Sequence, residues 1–401
     1  DPNYKDIAPR LGATYRFGEK TVVRAGFGIY FNPNQMNSFT FLTNNPPLAA
    51  VSTFTNDPAN PTLSFASPTG VAGPVATPDM ISPTRDLPNA RKDQWSFDVQ
   101  RELTKSTALD LQYVGSNTSH LDRSFFNNTP APGAGAVDPR RPTQQFRSRR
   151  IIQNDLIADY DAVSIILRQR MSHGLQGDMH YTWSRTRDMG TNSNGGGQTM
   201  DNYDIWRDYA PANWDIPHRF VASYIYDVPF LKSSSRPLLK YGVAGWQVGG
   251  ITTISSGSPV NITLSTDRAN IGITGQQRPD LIGAAPALNC TPNTAGTTPL
   301  AQRELWTCYD VNAFALPAQF TFGNASRNLL RGPKYMSTDL TMMKNFPIGA
   351  RMRVQVRAEV YNLFNTVNFN NPNASFGSAG FGRITSAGSM RQMQLGAKVL
   401  F

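Results

Sequence analysis

Four histidines, two cysteines and one dense group of arginines are the side chains in this 401-residue chain best suited to chemistry. Metal ligation by histidine needs partners at fixed spacing. His120, His173, His180 and His218 fit no such spacing, and none sits in a His-Glu-x-x-His pattern. Each reads as a polar loop or strand residue. Cys290 and Cys308 fall in one turn-rich region and form no Cys-x-x-Cys pair, which argues against zinc. In an exported protein they would bridge and close that region, contributing about 3 kcal/mol by restricting the unfolded chain. In a reducing compartment they would remain thiols. Arg140, Arg141, Arg147, Arg149 and Arg150 bring five guanidinium forks into a short stretch. Such forks suit phosphate and carboxylate groups, so the cluster is either a solvated loop or a capture site for an anionic ligand. Asp201-Asn202-Tyr203-Asp204 offers oxygens that could ligate calcium, although a solvated loop has the same composition. No phosphate loop of the Gly-x-x-x-x-Gly-Lys-Ser/Thr type and no Gly-x-Ser-x-Gly nucleophile elbow occurs. The glycine-rich stretch 377–382 opens no helix and reads as a turn. The expectation is a protein without catalytic residues, metal or cofactor.

The elements that would position these residues are strands. The formal charge is +10, with 32 glycines and 29 prolines. The arginines are scattered along alternating segments rather than grouped with aromatic platforms, so no nucleic-acid partner is expected. No run of eighteen apolar residues is present, which removes transmembrane helices but not transmembrane strands. The segment 389–401 shows the rule. Met393, Leu395, Ala397, Val399 and Phe401 share one face, and Gln392, Gln394, Gly396 and Lys398 share the other.

The same alternation recurs ten more times, over 10–17, 21–31, 93–103, 107–115, 160–171, 175–184, 219–228, 243–255, 337–346 and 350–363. In 350–363, Met352, Val354, Val356, Ala358 and Val360 oppose Arg351, Arg353, Gln355, Arg357, Glu359 and Tyr361. Short turns alternate with long irregular stretches at 32–92, 120–159, 185–217, 264–334 and 365–388. A soluble sandwich has no reason to sort its connections by length along one edge, whereas an outer-membrane barrel places short turns in the periplasm and long loops outside. The pattern predicts an all-β fold, an antiparallel transmembrane β-barrel wall of eleven strands, in the bacterial outer membrane. A soluble β-rich binding module is the competing reading.

The segments also carry a resemblance. Ala8-Pro9-Arg10-Leu11-Gly12, Val23-Arg24-Ala25-Gly26-Phe27-Gly28-Ile29-Tyr30 and Tyr113-Val114-Gly115-Ser116 contribute to it. So do Tyr181-Thr182-Trp183-Ser184, Phe322-Gly323-Asn324, Leu330-Arg331-Gly332-Pro333 and Arg357-Ala358-Glu359-Val360-Tyr361-Asn362-Leu363-Phe364-Asn365. Together the chain resembles the C-terminal part of the barrel of TonB-dependent outer-membrane receptors, and within them the Oar-like group with a carboxypeptidase-regulatory-like domain. The resemblance implies uptake of a large or scarce substrate, captured by the extracellular loops and driven by the TonB complex through a plug domain. It implies contact with outer-membrane lipid and lipopolysaccharide, whose phosphates suit the arginine cluster. It also implies insertion by the barrel-assembly machinery, with Phe401 as the membrane-insertion signal. Such barrels have about 22 strands around a plugged lumen. Eleven strands make half of one, and plug and TonB-contacting segment would lie upstream of Asp1. A passive porin-like or structural, adhesin-like barrel is the alternative function.

Overall fold

The computed structural model describes residues 6–34, 36–47, 61, 63–66, 68, 77–190, 199–229, 244–273, 276–283, 309–348 and 352–401. Eleven long strands make one antiparallel sheet in which each strand pairs with its neighbours in the chain. They are β1 Arg10–Phe17, β2 Thr21–Asn32, β3 Ala90–Thr104, β4 Thr107–Phe126, β5 Arg149–Ser172 and β6 Leu175–Asp188. β7 His218–Asp227, β8 Trp246–Ser255, β9 Tyr335–Ile348, β10 Met352–Tyr361 and β11 Gln392–Leu400 complete the path. Among the described residues β1 and β11 are the two edges of this meander.

Register follows from the alternation. Leu111 pairs with Val99 and Ile165, and Ile165 with Tyr181. One apolar row therefore crosses four strands on a single face. A second row joins Phe97, Tyr113, Val163 and Trp183. Apart from the half-buried Val99 and Tyr113, these apolar side chains stay exposed, with Leu111 at 45% and Trp183 at 58%. The opposite face is polar and carries internal ion pairs. Arg24 bonds Asp98 at 2.6 Å, Arg168 pairs with Asp110, and Arg357 lies 3.6 Å from Glu359.

Gly115 sits directly opposite Trp95, whose indole lies over it and donates to the Tyr113 hydroxyl at 3.3 Å. Any side chain at Gly115 would strike that indole ring. Gly115→Val is expected to destabilise the folded full-length barrel by about 1–3 kcal/mol through overpacking. Gly12→Ala, whose new methyl would meet only the Ala25 carbonyl at 3.9 Å, is the neutral control. Thermal unfolding of the two variants decides the matter: equal midpoints would show that Trp95 relaxes freely.

The expected loop 120–159 is shorter than its sequence suggests. β4 runs on to Phe126 and β5 begins at Arg149, so the connection is 127–148. Two features hid this extension. The register shifts on both sides of Leu121, next to His120 at φ 57°, and breaks the period of two. Beyond that bulge Ile152, Asn154 and Leu156 are buried on one face, where Asn154 donates to the Asn34 side chain and the Pro88 carbonyl of the β2–β3 connection at 2.6 Å each. β5 is 24 residues long, about twice the 9–11 that a bilayer requires, so its upper half stands clear of the membrane.

Candidate functional site: a loop-capped cavity on the polar face

The long connections fold together at one end of the sheet. The β8–β9 connection is tied to the β6–β7 connection by three ion pairs. Arg278 pairs with Asp208, Arg327 with Asp188 at the end of β6, and Arg331 with Asp215. Arg278 and Asp208 are each only 2% exposed. Burial of this depth is tolerated because the remaining polar atoms are satisfied. Arg278 Nε donates to the Ala325 carbonyl at 2.8 Å and Nη2 to the Arg207 carbonyl at 3.0 Å. Asp208 also accepts from the Met200 N–H at 2.8 Å. Arg327 donates to the Asp188 and Asp208 carbonyls at 2.7 and 3.0 Å, and to the Asn213 side chain at 3.3 Å. Burial lowers the pKa of the Arg278 guanidinium, and the neighbouring Asp208 carboxylate opposes that shift.

The layer extends to two further connections. Asn270 donates to the Gly133 and Gly135 carbonyls at 2.8 and 2.7 Å, joining the β8–β9 and β4–β5 loops. Thr263–Leu264 pairs in parallel with Ser375–Phe376 of the β10–β11 connection. Around that pairing lies a small apolar core of Val260, Ile262, Phe314, Leu330 and Ile384, closed by Tyr309. Tyr309 meets Phe381 edge-on at 5.6 Å, and burial raises its phenol pKa.

Beneath this layer, against the polar face of β3 to β7, lies a cavity of about 1280 Å³. Lys92, Tyr160, Thr182 and Arg219 come from the sheet, and Trp214 and Arg327 from the cap. Ion pairs fix the cap, and strand register fixes the floor. The arrangement can hold a polar ligand by hydrogen bonding and charge.

The sequence-derived candidates are placed as follows. Arg140 donates to the Ala131 and Ala136 carbonyls at 2.7 and 3.2 Å and to the Asn270 carbonyl. Arg141 pairs with Asp138 at 2.8 Å and Arg147 with Asp79 at 2.6 Å. Arg150 donates to Ser124 at 2.8 Å and lies over the Phe41 ring. Arg149 and Arg150 belong to β5, not to a loop. Most of the cluster thus ties loops and strand ends to one another. Asp201 caps the Tyr203 N–H at 2.9 Å, Asp204 pairs with Arg207 at 3.3 Å, and Asn202 donates to the Phe126 carbonyl. His120 and His173 sit at positive φ in a bulge and a turn, and His218 bonds the Tyr181 hydroxyl at 2.9 Å. Among the described residues no three His, Cys, Asp or Glu side chains gather as metal ligands. Cys290 and Cys308 lie outside the described residues. Phe401 follows β11 and is exposed. Arg331 falls inside the quoted stretch Leu330-Arg331-Gly332-Pro333, without a role assigned to it; Asp188, Asp208, Asp215, Arg278 and Arg327 were not singled out from sequence, and no local spacing marks them.

A meander with an apolar outer face, a polar inner face and its long loops gathered at one end is the wall of an outer-membrane barrel. A family model described as an outer membrane beta barrel domain matches residues 1–394, and the chain belongs to that family. Its place is the bacterial outer membrane. Among solved structures, the outer membrane transporter YddB from Escherichia coli is similar at 8% identity and a TM-score of 0.50. That match covers 96% of this chain and 39% of YddB. The pyoverdine outer membrane receptor FpvA from Pseudomonas aeruginosa PAO1 aligns at 12% identity and a TM-score of 0.47, over 98% of this chain and 36% of its own. BauA, the ferric preacinetobactin receptor from Acinetobacter baumannii, aligns at 12% identity and a TM-score of 0.45, with coverages of 98% and 36%. The chain therefore spans less than two fifths of the length of each. No curated protein matches the sequence.

Proposed function

We propose that the chain is part of the wall, with the associated outer loops, of a TonB-dependent receptor barrel of the Oar-like group. It takes up a large or scarce substrate and performs no covalent chemistry. The observation that carries this reading is the cap. Loops from four separate connections are fastened over a polar cavity by buried ion pairs, hydrogen bonds and a short strand pairing. A passive pore is served by an open lumen, and an adhesin by residues at loop tips. A built roof over an internal cavity serves a receptor that holds its ligand before passing it inward. In this reading a plug domain outside the chain contacts the TonB complex. Lipopolysaccharide meets the outer rim near Arg147, whose side chain is 61% exposed. β11 with Phe401 engages the barrel-assembly machinery.

Two measurements on the full-length protein test the proposal. In a planar bilayer it is expected to be electrically silent, and in solution it is expected to bind the purified periplasmic domain of TonB. Steady conductance without TonB binding would replace the receptor with a passive porin.

A further inference from the structure

We propose, on the basis of the receptor reading, that the capped cavity takes an acidic oligosaccharide. The first argument is charge. Several cations of the polar face are neutralised by this chain, as in Arg24–Asp98, Arg168–Asp110 and Arg357–Glu359. Lys92 and Arg219 also belong to that face and line the cavity, yet neither has a carboxylate within ion-pair distance among the described residues. They stand on β3 and β7, at opposite sides of the cavity floor. Two separated, unneutralised cations suit a ligand whose negative charges are spaced along it rather than concentrated in one group.

The second argument is the rest of the lining. Thr118 and Gln276 offer neutral donors and acceptors, and Asp122 also lines the cavity. A carboxylate beside free cations disfavours a bare polyanion but accepts the protons of vicinal hydroxyls. The Asp159 carboxylate is already held by Asn117 and Tyr209, each at 2.5 Å, and is not available. The third argument is shape. Trp214 presents its indole from the cap at 57% exposure, and Tyr160 presents its ring from β5. Flat aromatic faces pack against the C–H face of a pyranose ring, while an extended acidic peptide has no such face. The volume of about 1280 Å³ exceeds the ~300–1,000 Å³ of small-molecule pockets and suits an oligomer.

The test is calorimetric titration of the full-length protein in detergent with hexagalacturonate, maltohexaose and hexaglutamate. Hexagalacturonate is expected to bind at least about tenfold more tightly than either control, with affinity falling as salt rises. The double variant K92Q/R219Q is expected to lose about tenfold for hexagalacturonate and most of the salt dependence, with an unchanged melting temperature. Trp214→Ala is expected to weaken hexagalacturonate binding by about fivefold or more. Absence of hexagalacturonate binding, or equal binding of maltohexaose, overturns the proposal. So does tighter binding of hexaglutamate, and so does hexagalacturonate affinity unmoved by K92Q/R219Q. If the protein is silent in bilayers and binds TonB, such a result removes the ligand class and leaves the receptor standing.

Discussion

Replacing Arg327 with leucine is expected to release the loop layer from the sheet. The Arg327 side chain is 6% exposed and that of its partner Asp188 is 1% exposed. Arg327 also binds the Asp208 carbonyl and the Asn213 side chain, so one guanidinium holds the end of β6 and two points of the β6–β7 loop. Leucine would remove the guanidinium that neutralises the buried Asp188 carboxylate. Breaking a buried pair in this way costs about 3–5 kcal/mol, most of it desolvation of the abandoned charge. The change should appear as new trypsin cleavage in the loops of otherwise folded full-length protein. R327L/D188L removes both charges and is expected to recover part of the loss, because no buried charge then lacks its counter-charge. Arg327→Lys should fall between, since an ammonium cannot present the planar fork that reaches separate acceptors. Wild-type resistance to trypsin in R327L would show that the apolar core around Leu330 holds the cap alone.

The wall was legible in the sequence and the cap was not, for a physical reason. A strand between lipid and lumen must alternate, and the eleven alternating segments correspond to the eleven strands of the sheet. The face assignments in 350–363 and 389–401 recur as registered pairs, Val356 with Ala397 and Ala358 with Leu395. Where a strand leaves the bilayer that constraint ends, and so did the reading: β4 beyond His120 and β5 before Tyr160 look like loop. The cap depends on charge partners far apart in sequence. Arg327 and Asp188 are separated by 139 residues, and Arg331 and Asp215 by 116. No local period marks either partner, and an arginine in a loop looks the same whether it is solvated or buried. The cluster Arg140–Arg150 drew attention by density alone. Arg278, isolated between Gln277 and Pro279, is among the largest fully buried side chains.

Two arginine substitutions one residue apart test the orientation of the wall. Ile165 lies in an apolar row on the outer face, between Leu111 and Tyr181. Ser164 lies on the other face, where its hydroxyl shares a hydrogen bond with Thr182 at 3.0 Å. Ile165→Arg would place a cation in hydrocarbon and is expected to cost about 2–4 kcal/mol, with loss of folded protein from the outer membrane. Ser164→Arg would extend into the water-facing side and is expected to cost much less. The two positions share a strand, a depth and a neighbourhood, so helix or strand propensity cannot separate them. Only the direction of the side chain differs. Equal loss at both positions would mean that both faces are packed, as in a soluble sandwich. Tolerance at both would mean that neither meets lipid. The expected asymmetry arises only if the apolar face of β5 is the one the membrane touches.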